Sequence, residues 1–198
     1  MGIEIPQNKF LILDGAMGTV LQQRGLSPQG RPELLNLTEP ELLDSVYKED
    51  IAAGSQVIYA NTFGANGLKL AKTGHSVEEV VGAAIAVAKK AAAGTGTLVA
   101  LDVGPLGELL EPMGTLSFER AYDLFREMAE AGAKAGADLI VVETMTDLYE
   151  AKAALLAAKE AAHLPVFVTM SFDAGGRTFT GCTVASMAWR AWVRTLLD

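Results

Sequence analysis

Several apolar runs of this 198-residue chain are followed directly by a polar side chain that could bind a ligand. Carboxylates at such positions suit a cationic group, and the glycine-containing turns beside some of them leave backbone N–H groups free for an anionic one. The residues concerned are Asp14, Asn61, Asp102, Glu143, Ser171 and Asp173. Together these residue types predict a pocket for a small charged molecule.

Glu143 gives the most specific prediction, because it follows the apolar run Leu139-Ile-Val-Val142 without a break. A carboxylate at the end of a buried strand costs several kcal/mol if nothing compensates its charge. It must therefore meet water, a cation or hydrogen-bond donors. We predict that Glu143 binds a substrate ammonium group; the alternative is a salt bridge to a helix lysine or a cap for the next helix.

Two turns rich in glycine allow two interpretations each. Asp14-Gly-Ala-Met-Gly-Thr19 lacks the glycine spacing of a dinucleotide-binding fingerprint. Its backbone N–H groups and the Asp14 carboxylate could hold a zwitterionic ligand, or Asp14 could cap a helix within a tight turn. Asp102-Val-Gly-Pro-Leu-Gly107 places a carboxylate beside a rigid turn, either as the floor of a pocket or as a structural element.

Apolar runs alternate with segments of helical periodicity along the chain, which predicts a parallel sheet with right-handed crossovers. The predicted strands are Phe10–Leu13, which we expect to be buried, Val57–Ala60, Thr97–Leu101, Asp138–Val142 and Pro165–Met170. The predicted helices are Met17–Arg24, a helix with Thr38 as its N-cap that runs to about Ala53, Val77–Ala93, Phe118–Ala135 with Ser117 as its N-cap, a helix capped by Asp147 that runs to about Ala162, and a weak pattern over Thr183–Leu197.

Five parallel βα units could belong to an open doubly wound sheet or to a closed (β/α)₈ barrel. An open sheet usually concentrates its ligand-binding groups at one switch point, whereas every strand of a barrel contributes to one ring. Because all five predicted strands end in polar groups, the pattern favours the barrel and leaves the open sheet as the alternative.

The composition narrows the class of partner. A net charge of −8 and a sequence pI of about 4.8 argue against nucleic acid or an anionic membrane surface. No membrane span or signal peptide is predicted, and the single cysteine, Cys182, excludes an intramolecular disulfide. These features predict a cytoplasmic protein. One cysteine cannot form a zinc site rich in sulfur, so a metal role for Cys182 is not expected.

The ordered set of motifs resembles the homocysteine S-methyltransferase family, and within it the N-terminal homocysteine-binding module of cobalamin-dependent methionine synthases. The motifs are Asp14-Gly-Ala-Met-Gly-Thr19, Pro32-Glu-Leu-Leu-Asn-Leu-Thr38, Asn61-Thr-Phe-Gly-Ala-Asn66, Asp102-Val-Gly-Pro-Leu-Gly107, Glu111-Pro-Met-Gly114 and Val142-Glu-Thr144. The resemblance implies a (β/α)₈ TIM barrel of which about five of the eight βα units are present. Residues 1–181 would form the partial homocysteine-binding barrel, and residues 182–198 an atypical C-terminal tail.

The same resemblance implies methyl transfer to the sulfur of L-homocysteine to give methionine. It implies a zinc ion that activates the thiol, and methylcobalamin as the methyl donor on a separate corrinoid domain or protein. Asp14 and Gly15 would lie at the amino-acid end of homocysteine, and Glu143 would bind its ammonium group. The pocket would also be lined by Asn61, Thr62 and Asp102.

The chain departs from the family in its zinc ligands. The family uses three cysteines that follow the sixth and eighth strands, and these positions would lie beyond Asp198. We therefore expect a truncated or frameshifted chain that contains no catalytic residue and is inactive alone, and that self-associates through open barrel edges. The alternative function is that of a non-catalytic assembly or binding protein that retains the partial fold.

Overall fold

The computed structural model describes residues 10–27 and 30–188. The helices are α1 (Met17–Gln23), α2 (Leu35–Thr38), α3 (Pro40–Ala52), α4 (Gly67–Leu70), α5 (Val77–Ala92), α6 (Phe118–Ala135) and α7 (Leu148–Ala162), with a 3₁₀ turn over Pro32–Leu34. The strands are β1 (Val57–Tyr59), β2 (Leu98–Val103), β3 (Leu139–Met145) and β4 (Val166–Met170).

The four strands form one parallel sheet in the order β1-β2-β3-β4, which is also their order along the chain. Tyr59 pairs with Ala100, Ala100 pairs with Leu139, and Val141 pairs with Phe167. A doubly wound sheet would contain a reversal of strand order, and this sheet has none. The sequential order is that of a (β/α)₈ barrel wall, as the polar strand ends predicted.

The two faces of the sheet have different neighbours. The outer face packs under the helices α5, α6 and α7, and its buried strand residues are Ile58, Val99, Leu101, Val103, Ile140 and Val142. The inner face carries a small separate cluster made by Val57, Ala100, Leu139 and Val141, with Tyr59 and Phe167 packed beside it. Because side chains alternate along a strand, Asp102 and Glu143 fall on this inner face, two residues after Ala100 and Val141.

The first predicted strand is wrong as a buried strand. Only Leu13 forms a bridge, to Val57, and the flanking side chains of Phe10 and Ile12 are 90% and 50% exposed. The backbone still runs beside β1, since Ile12 O accepts from Val57 N at 3.2 Å. Within the described ranges no strand lies on the other side of this segment, so Phe10 and Ile12 are not covered, whereas Leu11 packs beside the inner-face cluster. Self-association through such an edge stays a prediction that light scattering can test.

The predicted N-cap at Thr38 is also wrong. Thr38 is the last residue of α2, where its hydroxyl donates to Leu34 O at 3.3 Å. Helix α3 begins at Pro40 after Glu39, which makes no side-chain cap. Proline at the first helical position has a suitable φ and lacks an N–H group that would need a partner, so the helix can begin without a capping side chain.

Two other predicted caps are confirmed. The Ser117 hydroxyl accepts from Arg120 N at 3.1 Å, and Asp147 Oδ1 accepts from Tyr149 N at 2.6 Å. Each satisfies amide groups that the first turn of a helix leaves without an intrahelical partner. These caps fix where α6 and α7 begin, directly after the loops that follow β2 and β3.

The end of the chain is described only in part. Residues 184–188 are helical, within the weak helical pattern predicted for Thr183–Leu197. Residues 189–198, which include Trp189 and Trp192, lie outside the described ranges. None of the helices described is long and apolar enough to cross a membrane.

Two helical glycines provide a matched test of the packing between helix and sheet. A Cβ at Gly132 in α6 would lie 2.7 Å from Leu101 Cδ2 of β2, whereas a Cβ at Gly82 in α5 would have no atom within 4 Å. We expect Gly132→Ala to lower the free energy of unfolding by about 1–3 kcal/mol through overpacking. Gly82→Ala should raise it by about 0.5–1 kcal/mol, because alanine is the better helix former.

Urea denaturation of both variants measures this difference. Equal stabilisation by the two substitutions would contradict the close approach of α6 to β2.

Candidate functional site

Three acidic residues from separate segments of the chain come together at the inner face of the sheet. Asp14 follows the segment that pairs with β1, Asp102 lies in β2, and Glu143 lies in β3. Strands β2 and β3 both continue past their predicted ends at Leu101 and Val142, so Asp102 and Glu143 lie within the strands. We refer to Asp14, Asp102 and Glu143 as the inner carboxyl cluster.

Asp14 is fixed through one carboxyl oxygen. Its Oδ2 accepts from Tyr59 N at 2.7 Å, and its own backbone N donates to Val57 O at 3.1 Å. The other oxygen, Oδ1, is buried and has no hydrogen-bond partner among the described residues. Burial raises the pKa of Asp14 to about 7, against the lowering effect of the bond from Tyr59 N.

Asp102 is the most deeply buried of the three, with 6% of its surface exposed. Its backbone is held by Thr62, whose Oγ1 donates to Asp102 O at 2.7 Å and accepts from Asp102 N at 3.0 Å. Its carboxyl Oδ1 is buried without a partner in residues 10–27 and 30–188. Burial raises the pKa of Asp102 well above its usual range, and the charges of Glu143 and Asp14 raise it further.

Glu143 is half-buried where the pairing of β3 with β4 changes register. The shift lies between Val142 and Met145, and the intervening Thr144 has a φ of 54° and donates from its N to Thr169 Oγ1 at 3.0 Å. Irregular pairing of this kind re-aims a side chain at the end of a strand. Burial raises the pKa of Glu143 as well.

The cluster contains three acids and, among residues 10–27 and 30–188, no basic partner. None of its members forms an ion pair within the described part of the chain. The charge of Glu143 contributes to the raised pKa of both Asp14 and Asp102, which places the three groups within electrostatic reach of one another. A cation with several N–H donors is the ligand chemistry that such an arrangement suits.

Asn61 and Gly15 differ in how much room they leave for a ligand. Asn61 Nδ2 donates to Pro32 O at 2.6 Å and its backbone N donates to Tyr47 Oη at 2.8 Å, so its backbone donor and one of its two side-chain donors are used within the protein. Thr62 is fully buried, and its hydroxyl is likewise used within the protein because it donates to Asp102 O. Gly15 is exposed, and Asp50 Oδ1 is the nearest atom to the position of a Cβ, at 3.9 Å. A lining role for Asn61, Thr62 and Gly15 stays a prediction.

Sequence reasoning missed a second group of charged residues, which holds the 104–107 turn. Lys69 Nζ donates to Pro105 O at 2.9 Å, and Glu150 Oε1 accepts from Leu106 N at 2.7 Å. Burial raises the pKa of Glu150 and lowers that of Lys69. Their positions in helices α4 and α7 gave no local signal, because both contacts join residues distant in sequence.

The residues described do not fit the zinc ion that the family resemblance implies. Cys182 Sγ donates to Thr183 O at 3.4 Å, and its backbone N donates to Thr178 Oγ1 at 3.1 Å. Within residues 10–27 and 30–188, no group of three or more His, Cys, Asp and Glu side chains could hold a metal ion. The inner carboxyl cluster offers oxygen atoms only, whereas zinc in this chemistry requires thiolate or imidazole ligands.

Solved structures of similar fold include those of an enzyme from Escherichia coli. The homocysteine methyltransferase MmuM in its oxidized form has a TM-score of 0.79 and 26% sequence identity, over 92% of this chain and 70% of that one. Its metallated form has a TM-score of 0.80 over the same shares, at 24% identity. The strand order and the match to these enzymes together show a partial TIM barrel.

Sequence comparison also relates this chain to enzymes that act on homocysteine or make methionine. The methionine synthases of Mycobacterium tuberculosis and Mycobacterium leprae are each 29% identical to this chain over 204 aligned positions, which cover 93% of it and 17% of the relative. The chain thus spans about a sixth of the length of these curated relatives. A model of the family described as "Homocysteine S-methyltransferase" matches residues 11–195. The chain therefore belongs to the homocysteine S-methyltransferase family.

Proposed function

We propose that this chain binds the amino-acid end of L-homocysteine, for methyl transfer to its sulfur to give methionine. One observation carries the proposal: the buried Oδ1 atoms of Asp14 and Asp102 have no partner among the described residues, within electrostatic reach of Glu143. An ammonium group has three N–H donors and a positive charge, and it would satisfy such oxygens. Membership of the family supports homocysteine as the source of that ammonium.

The proposed roles of the residues follow from their contacts. Tyr59 N holds one carboxyl oxygen of Asp14, and Thr62 holds the backbone of Asp102. The Oδ1 atom of each aspartate can therefore face a ligand without a change of backbone. Glu143 is the least buried of the three and would complete the ammonium site from β3. Gly15 has no side chain, which leaves its surroundings open to the substrate carboxylate.

The transfer step itself needs groups beyond these residues. A thiolate sulfur attacks the methyl carbon, an S–C bond forms, and the donor departs with the electron pair of the broken bond. In the family, zinc promotes ionisation of the substrate thiol to a thiolate. The described residues offer no ligand set for zinc. We therefore propose that the chain alone binds homocysteine and does not methylate it.

The methionine synthases among its relatives support methylcobalamin as donor, carried by a corrinoid domain or protein. We also propose a cytoplasmic location and retain residues 1–181 as the binding unit. A non-catalytic binding protein is the second candidate, because the described residues offer no ligand set for zinc.

Calorimetric titration with L-homocysteine tests the ammonium site. We expect saturable binding, and we expect Glu143→Gln to weaken it by about 10- to 100-fold, because a hydrogen bond to a charged group contributes about 1.5–3 kcal/mol. Glu108→Gln is the matched control, since Glu108 is an exposed glutamate of the loop after β2. Equal weakening by both substitutions, or no binding to the unaltered chain, would refute the proposed site.

Zinc content tests the division between binding and catalysis. After purification without chelator, elemental analysis should give well under one zinc per chain, because a lone thiol is a weak zinc ligand. Cys182→Ser should leave both the zinc content and homocysteine binding unchanged. Stoichiometric zinc that disappears in Cys182→Ser would contradict the proposal that this chain contains no zinc site.

A further inference from the structure

The inner carboxyl cluster has more negative groups than one ammonium can neutralise. Three carboxylates would carry a charge of −3, whereas a single ammonium carries +1. Buried like charges at short range cannot all remain ionised without compensation. A shared proton would reduce this uncompensated negative charge before a ligand arrives.

We propose that this protein takes up an amino-acid ammonium group in exchange for a proton held by the inner carboxyl cluster. In the ligand-free protein, Asp14, Asp102 and Glu143 share at least one proton; the ammonium displaces it to solvent. This inference rests on the proposed function and adds a proton linkage to it.

The burial of Asp102 is the main geometric support. Only 6% of its surface is exposed, and its Oδ1 is buried without a partner in the described part of the chain. Its inner-face position is fixed by the register, with Asp102 opposite Val141 two residues before Glu143. A carboxyl in such a place is far less costly in its neutral form than in its ionised form.

The charged residues that act on Asp14 and Asp102 are all acidic, and they favour the protonated form of both carboxyl groups. The charges of Asp50 and Glu143 raise the pKa of Asp14, and those of Glu143, Asp14 and Glu33 raise the pKa of Asp102. Burial raises the pKa of the Tyr47 and Tyr59 phenols, and the charges of Asp14 and Asp102 raise it further, so both phenols stay neutral. No lysine or arginine of the described ranges appears among these influences.

The nearby cations are engaged elsewhere. Arg24 pairs with Glu49 at 2.6 Å, and Lys69 donates to Pro105 O at 2.9 Å. A ligand cation is therefore the remaining means of compensating an ionised cluster within the described structure. This is why the arrival of an ammonium group and the loss of a proton are coupled.

The exchange is balanced in atoms and charge. A carboxyl O–H ionises, the proton passes to solvent or buffer, and the ammonium donates N–H bonds to the oxygen atoms that have become anionic. The group that titrates belongs to the cluster as a whole, because interacting carboxyls share their macroscopic pKa values.

The direction of the pH dependence follows from the raised pKa. Bound ammonium stabilises the ionised form and lowers the pKa of the cluster, so binding releases a proton between the lowered and the raised values. With the pKa of Asp14 at about 7, affinity should rise as pH increases towards 7 and level off above it. The rise should approach tenfold per pH unit where one full proton is released.

Calorimetry in two buffers of different ionisation enthalpy measures the protons released. The ligands are L-homocysteine and L-methionine, and the second has no thiol whose proton could be counted by mistake. Near pH 6 we expect release of about 0.5–1 proton for both ligands. The chain is treated with chelator beforehand, so that no metal contributes a proton.

Two variants separate the cluster from other acids. Asp102→Asn, a change of nearly equal shape, should weaken amino-acid binding, because Asp102 belongs to the proposed ammonium site. It should also reduce the number of protons released per bound ligand and flatten the pH dependence. Asp138→Asn is the matched control at the opposite end of the sheet, where Asp138 Oδ1 lies 2.7 Å from Lys89 Nζ. It should leave the proton count unchanged.

The outcomes distinguish this inference from the proposed function. Binding without proton exchange between about pH 5.5 and 8, with constant affinity, would overturn the exchange and leave the homocysteine site intact. Absence of binding for both amino acids would refute the proposed function and the exchange together. Equal proton counts in the unaltered chain and in Asp102→Asn would exclude Asp102 from the exchange and overturn its stated basis.

Discussion

The cost of burying acidic groups is the constraint on which this site depends. Asp102 and Asp14 each keep one buried carboxyl oxygen without a partner among the described residues. Leaving such an atom unsatisfied costs about 1–3 kcal/mol, and more when it is charged. Such destabilising groups are found mainly at functional sites. An ammonium ligand would donate the hydrogen bonds that these two carboxyl oxygens lack. The buried carboxyl oxygens without partners thus both destabilise the protein locally and provide hydrogen-bond acceptors for a ligand.

The surrounding structure keeps these acids in place by bonds to their other polar atoms. The amide of Tyr59 orients Asp14, and both backbone groups of Asp102 are bonded to Thr62. On the outer face, helices α5 to α7 cover the sheet. The turn that follows Asp102 is tied down by Lys69 and Glu150. Rigid support of this kind preorganises a site, so that little ordering is left for the ligand to bring about.

Local signals in the sequence predicted much of this arrangement. Apolar runs gave β1 to β4, and the caps Ser117 and Asp147 depend on contacts within a few residues. Features that depend on distant contacts were not predictable. The burial expected for Phe10–Leu13 required a neighbour on its outer side, which a hydropathy pattern cannot supply. The donors of Asn61 looked available for a ligand, yet Pro32 O accepts one of them across 29 residues.

The protonation state of the cluster in the ligand-free protein tests the central claim most directly. Isotope-edited infrared spectroscopy, with ¹³C-labelled aspartate, separates the carbonyl stretch of a protonated carboxyl from the bands of a carboxylate. The account predicts that at least one aspartic carboxyl remains protonated near pH 6 and ionises around pH 7, where the pKa of Asp14 lies. The signal should be lost in the double variant Asp14→Asn with Asp102→Asn. Complete ionisation of all aspartates below about pH 5 would contradict the account, because the cluster would then carry its full charge without a ligand.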